Sequence, residues 1–361
     1  ACVLIHLLWI QPGLWLLLRV ITGVALVGIY TVIESWLNTQ APPERRGQVF
    51  ACYMAVNLGA LALAQQMLNW DSPLTFTLFA VAATFIVLAV MPVSATRLPQ
   101  PVIDDTPPLK LARLWQAAPV ACAGAVLSGL GMGGFWGLGA VYAARMEMDT
   151  AQIAGFVSLV ILAGALAQWP MGRLSDSIDR RRALVIIAGL AAAGGVLMAL
   201  LGPFGLWLLV AAAIFGAGAF SVYPAVVAHL IDHLHQEDIL SGNASLLMLH
   251  GLGAAVGPAL AGALMGITAA SALPLFFALM FSLIAVYALR HLRQGDDRIV
   301  DGAAHQVPMV RTSTAVLEMM LEEASGDELA GSTHAADGRE TARDEFEQQD
   351  GDHAHDVGNR P

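Results

Sequence analysis

Nine stretches of this chain, 14–37, 48–68, 74–95, 119–144, 151–171, 183–201, 206–231, 243–267 and 272–289, are apolar almost throughout. Each is close to the ~20 residues that a helix needs to cross a bilayer. Such segments leave a chain few choices. Their backbone amides have no water to bond inside hydrocarbon, so each must satisfy its own as a helix. A tenth run, 1–11, is about half a crossing and stops at Pro12 and Gly13. The overall balance, 57% hydrophobic and 13% charged residues, excludes an ordinary soluble domain. The fold class expected is therefore an all-α polytopic membrane protein.

Most joints between the runs are short and marked by Pro, Gly, Asn or Asp. The exception is the Pro-rich polar stretch 97–117, which divides the chain into a first group of helices over 1–96 and a second of six over 118–293. The remaining residues, 294–361, hold 16 Asp and Glu against 5 Arg and few apolar side chains, a composition that predicts disorder. Within them 315–323, AVLEMMLEE, has the pattern of one short amphipathic helix. Basic residues occupy alternate joints: Arg45 and Arg46; Arg97, Lys110 and Arg113; Arg173 and Arg180 to Arg182; Arg290 and Arg293. The opposite joints hold only Arg145. Because Lys and Arg are retained on the cytoplasmic side of short loops, the basic joints and the C-terminus are expected in the cytoplasm.

The chain also repeats itself. LWLL at 14–17 recurs at 206–209, and Gly23 and Tyr30 recur as Gly216 and Tyr223, an offset of about 193 residues. The same offset carries the run 183–201 back to the first residues of the chain. The expectation is two pseudo-symmetric six-helix halves, with the first two helices and part of the third missing ahead of Ala1.

One basic joint, 171–182, reads MGRLSDSIDRRR and is expected to be a tight charged loop between two crossings. Asp179 is a good N-cap for the crossing on its C-terminal side. Arg180 to Arg182, however, then fall at the positive end of the helix dipole, so something other than the dipole keeps them there. Topology control and contact with anionic headgroups is one explanation. Gly172, Leu174, Asp176, Arg180 and Arg181 resemble the cytoplasmic loop signature of the major facilitator superfamily, with Asp179 and Ser177 departing from its usual Gly and basic residue. That resemblance implies two six-helix halves rocking about a midplane cavity. It also implies a conformational latch in which Gly172 permits close packing while Asp176 pairs with another helix end. The runs around 34–38, ESWLN, and 45–47, RRG, look like an uncharacterised bacterial branch of that superfamily.

Inside the crossings, charge is rare and therefore informative. Arg19 lies in an apolar run at a cost of roughly 2.5–3.5 kcal/mol near the bilayer centre, so it should face protein or water, or snorkel to headgroups. Gly23, Tyr30 and Glu34 share its helical face. Arg19 with Gly23 also resembles the family's fourth-helix basic motif, associated there with proton coupling. Glu34 is the sequence's best proton carrier, with interfacial capping as its alternative. Tyr30, Asn57, Gln65, Gln66, Trp136, Gln168, Tyr223 and His250 are the polar and aromatic positions that can line a substrate cavity or bond helix to helix. Gly129, Gly133 and Gly137, and Gly253 and Gly257, repeat every four residues as close-packing faces. The segment 253–262, GAAVGPALAG, resembles the Gly-Pro motif of the superfamily's exporters, but in the eleventh helix rather than the fifth.

His229, Asp232, His233 and His235 gather where one helix ends. A solvated helix end is the plain reading, with metal binding or pH sensing as alternatives. Cys2, Cys52 and Cys122 all fall in apolar runs and predict no disulfide framework. No phosphate loop, nucleophile elbow or HExxH pair occurs, so neither an enzyme nor a cofactor or resident metal is expected. The function expected is secondary active transport of a small solute by alternating access, coupled to protons. It would be carried out by a monomer in the bacterial inner membrane that binds lipid bilayer but no nucleic acid. The competing class is a non-transporting sensor or scaffold that signals through the acidic tail.

Overall fold

The computed structural model describes residues 2–8, 11–40, 46–72, 75–95, 110–202 and 205–294. The tail, including 315–323, and most of the 97–117 connection lie outside them. Among the described residues there are eleven α-helices and no strand: α1 (Cys2–Leu8), α2 (Pro12–Gln40), α3 (Arg46–Gln66), α4 (Phe76–Ala95), α5 (Leu111–Ala117), α6 (Pro119–Arg145), α7 (Thr150–Ser177), α8 (Arg180–Leu201), α9 (Leu206–Ile231), α10 (Gln236–Ile267) and α11 (Ala272–Gln294). Among the described residues, each of the nine apolar runs holds one of these helices. Eight helices, α2, α4 and α6 to α11, are by length and composition long and apolar enough to cross a membrane, which makes this a multi-pass membrane protein.

Helix ends differ from the sequence reading in a consistent way. Expected boundaries followed the apolar residues, whereas α7 continues to Ser177 and α10 begins at Gln236. A helix need not stop where hydrocarbon stops, because its i to i−4 bonds persist through the headgroup layer. The expected tight loop 171–182 is accordingly corrected. Residues 171–177 are the last two turns of α7, 180–182 open α8, and only Ile178 and Asp179 connect them. Asp179 caps α8 as expected, accepting from the backbone N–H of Arg181 at 2.9 Å and of Arg182 at 3.1 Å. Part of the presumed interhelical loop also folds: α5 buries Leu114 against α6 and α10, and Arg113 donates to Asp238 Oδ2 at 3.0 Å.

Packing within the second group is dense. α6 lies along α10, α8 lies between α9 and α11, and α7 packs on α9. The glycine faces explain the first of these contacts. A Cβ on Gly129 would collide with the His250 carbonyl oxygen, and one on Gly253 with the Val126 carbonyl oxygen. The two backbones therefore touch where the sequence put small residues. α8 to α11 have their neighbour relations repeated by α1 to α4: α1 meets α2 and α4 as α8 meets α9 and α11, and α2 meets α3 as α9 meets α10.

Candidate functional site at the basic end of the helices

Two arginines of the 171–182 segment, Arg180 and Arg181, bond into the neighbouring helix ends. Arg180, only 12% exposed at its side chain, donates through Nη1 to Asp176 Oδ1 at 2.7 Å and to Ser175 Oγ at 3.0 Å. Its Nε donates to Asp232 Oδ2 at the end of α9, at 3.2 Å. Arg181 is buried and donates to the His291 carbonyl oxygen of α11 at 3.3 Å. It also reaches His233 Nε2 at 3.5 Å. An arginine has no lone pair to offer, so His233 Nε2 accepts, and its Nδ1–H donates to the His229 carbonyl oxygen at 2.8 Å. One basic dipeptide thus ties α7, α8, α9 and α11 together.

Burial is the larger influence on Asp232 and raises its pKa above the ordinary carboxylate value; the Arg180 charge and hydrogen bond pull the other way. The network also bears on two readings. Asp176, at the end of α7, pairs with Arg180 at the start of the adjoining α8, and Arg180 extends the pairing to the end of α9. A Cβ on Gly172 would meet nothing within 4 Å, so close packing is not what that glycine permits. The histidine group is only partly a solvated helix end: His235 is exposed and Asp232 and His233 are half-buried, but His229 is enclosed. His229 is 2% exposed, and its ring lies 4.3 Å from that of His233. No group of three or more metal-binding side chains is found among the described residues.

At the opposite end the two groups of helices meet through α3 and α7. Gln66 Nε2 donates to Ser158 Oγ at 2.7 Å and to the Ala154 carbonyl oxygen at 3.3 Å, and Ser158 Oγ donates to the Ala62 carbonyl oxygen at 2.8 Å. Of the other residues singled out in the sequence, Tyr223 and His250 come together, with ring centroids 4.4 Å apart. Trp136 lies edge-on to Phe220 at 6.0 Å. Asn57, Gln65 and Gln168 are half-buried, and none of them hydrogen-bonds another of the group among the described contacts. Tyr30 and Arg19 are exposed on α2, and Gly23 beside them is open. Of the surroundings expected for Arg19, this leaves water or headgroups rather than protein. The side chain of Glu34 lies outside the described residues. Ser158, Ser175 and His291 take part in these contacts without having been singled out; small hydroxyls and helix-end residues give no periodic signal.

A sequence profile of the Major Facilitator Superfamily matches this chain twice, over residues 1–238 and 121–317. The chain belongs to the major facilitator superfamily. Curated relatives are MFS-type transporters: one from Yersinia pestis (strain Pestoides F) is 26% identical over 292 residues, spanning 80% of this chain and 75% of the relative. YcaD of Salmonella paratyphi B is 26% identical over 284 residues, or 77% of this chain and 72% of its own. Among solved structures, a bacterial homologue of the human lysosomal transporter Spinster, inward-facing and unoccupied, superposes with a TM-score of 0.54 at 14% identity over 90% of this chain and 80% of that one. The Escherichia coli fucose:proton symporter FucP gives 0.48 at 17% identity over 80% and 79%. Fold and family place this MFS protein among membrane transporters.

Proposed function

We propose that this MFS protein is a proton-coupled secondary active transporter that carries a small solute across the bacterial inner membrane by alternating access, as a monomer with its C-terminus in the cytoplasm. The observation that carries the reading is the junction of Gln66 with Ser158 and Ala154. It is a hydrogen-bonded contact between the two groups of helices at the end opposite the Arg180 network. Two bodies held at one end of a shared axis can part at the other, and this geometry suits rocking about a central site. The groups are 1–96 and 118–293, linked by 97–117, with 294–361 as a tail.

In this reading Arg19 and Glu34 serve proton coupling. Tyr30, Asn57, Gln65, Trp136, Gln168, Tyr223 and His250 contact the solute, while Gln66 fastens the junction. Asp176, Arg180 and Arg181 form the latch. They act first by bracing the second group at its basic end, where the brace presents a fixed surface for the first group to close on.

The test is uptake and efflux in proteoliposomes, screened across chemically diverse solutes with and without an imposed pH gradient. Accumulation of one solute class that vanishes when the gradient is collapsed is the expected result. Transport that is indifferent to the gradient would remove the proton, and no transport of any solute in any arm would remove the function.

A further inference from the structure

In the six helices of the second group, Asp, Glu, Lys and Arg occur only near helix ends: Arg145, Arg173, Asp176, Arg180 to Arg182, Glu237, Asp238, Arg290 and Arg293. One side chain that can change charge near neutral pH lies deeper. His250 is the tenth residue of the 27-residue span Ser241–Ile267, about 6 Å short of its midpoint at 1.5 Å per residue and so well inside a ~30 Å hydrocarbon layer centred on that span. An ionisable group at that depth is costly and marks an ion pathway more often than it serves packing.

Its surroundings suit a group that alternates between two states. Nδ1 lies 3.2 Å from the Ala125 carbonyl oxygen and 3.2 Å from Ser128 Oγ, both on α6. A carbonyl can only accept, so Nδ1 carries the hydrogen of the neutral ring and Nε2 is the atom that takes a second proton. The Tyr223 ring of α9, 4.4 Å away and tilted by 46°, is within the range at which an aromatic ring attracts a cation. Ionisable side chains are sparse on the described helices packed around it. α6 offers no ionisable side chain between Cys122 and Tyr142, and α11 none before Tyr287. α5 brings only Arg113, bonded to Asp238 at the basic end, and Tyr223 is the titratable group facing His250 from α9. The ring also stands where α6 and α10 are in backbone contact at Gly129, so a charge gained there falls on the seam of the second group.

We propose that His250 is the proton-binding residue of the second helix group, taking a proton from water at Nε2 and returning it to water from the imidazolium, with Ser128 and the Ala125 carbonyl holding Nδ1–H and the Tyr223 ring holding the charge. This deepens the proton-coupled reading and rests on it, supplying a proton site in the second group to accompany Arg19 and Glu34 in the first.

The first test does not need the solute. In protein labelled with nitrogen-15 histidine and placed in lipid nanodiscs, the His250 ring signals, assigned by their loss in His250→Gln, should move from neutral to charged values between about pH 8 and pH 5. Tyr223→Leu should lower the charged fraction at a given pH about two- to ten-fold, and Tyr223→Phe should leave it as in the native protein. A ring that stays neutral throughout, or one indifferent to Tyr223→Leu, overturns the assignment. Coupling is read separately, from the distance between spin labels at Asn69→Cys and Gln152→Cys across the two groups. It should shift with pH in the parent and in His235→Gln, and be fixed in His250→Gln. The same pH-dependent shift in His250→Gln overturns the proposal. A titrating His250 with a parent distance that never moves upholds the proton site and overturns the proton-coupled transport reading instead.

Discussion

Arg180 carries more of the basic end than any neighbour, since one guanidinium serves Ser175, Asp176 and Asp232 at once. Asp176→Asn leaves the bond to Asp232 in place, so it should slow transport while membrane insertion is unchanged; Arg180→Gln should impair transport further and lower stability by about 1.5–3 kcal/mol, read by thermal unfolding in nanodiscs. Asp232 gives an opposite and pH-dependent sign. A carboxylate whose folded pKa is raised is penalised when ionised, and the penalty is fully present above the folded value and gone below the unfolded value of about 3.9. Asp232→Asn should therefore be slightly more stable than the parent at pH 7, and the gap should close as the pH falls towards 4. An unchanged gap at acid pH would contradict the assignment. At this scale the sequence singled out Asp176, Arg180 and Asp232 but not how they pair. Asp176 and Arg180 lie four positions apart across the short α7–α8 connection, whereas Arg180 to Asp232 spans 52 positions and only the fold brings them together.

Helices were the most legible level, because a run of apolar residues long enough to cross hydrocarbon leaves the backbone one solution. Their ends were less so, and α5 was missed because seven residues of LARLWQA, set in a Pro-rich stretch, look like part of a connection. What orders it is tertiary: Leu114 is fully buried against α6 and α10. Leu114→Ala should cost about 2–5 kcal/mol and loosen α5, seen as faster amide exchange over 111–117. The α6 to α10 seam makes a harder demand. Gly133→Leu places a side chain against the Ala254 backbone, which cannot turn aside as a flexible side chain can. Overpacking of this kind should lower stability by about 1–3 kcal/mol or more, while Gly155→Leu on α7, where a Cβ would meet nothing within 4 Å, should be far milder.

For the whole molecule, the contact between the groups predicts a reversible trap. With Cys2, Cys52 and Cys122 replaced by Ser, Gln66→Cys with Ser158→Cys should cross-link through a short thiol-reactive bridge; transport should stop on oxidation or bridging and return on release, whereas either single variant should be insensitive. The repeat was visible in the sequence as a 193-residue offset, and the matching neighbour relations of α1 to α4 and α8 to α11 show what the offset means in space. Yet the two copies are not equally enclosed. None of the membrane-length window of α4 is buried and only 6% of that of α2, against 50% and 61% in α11 and α9. Solubilisation should thus be uneven: as short-chain detergent replaces lipid, trypsin and amide exchange should reach residues 12–95 first, leaving 119–294 as a resistant remnant whose survival says nothing about whether the preparation still works.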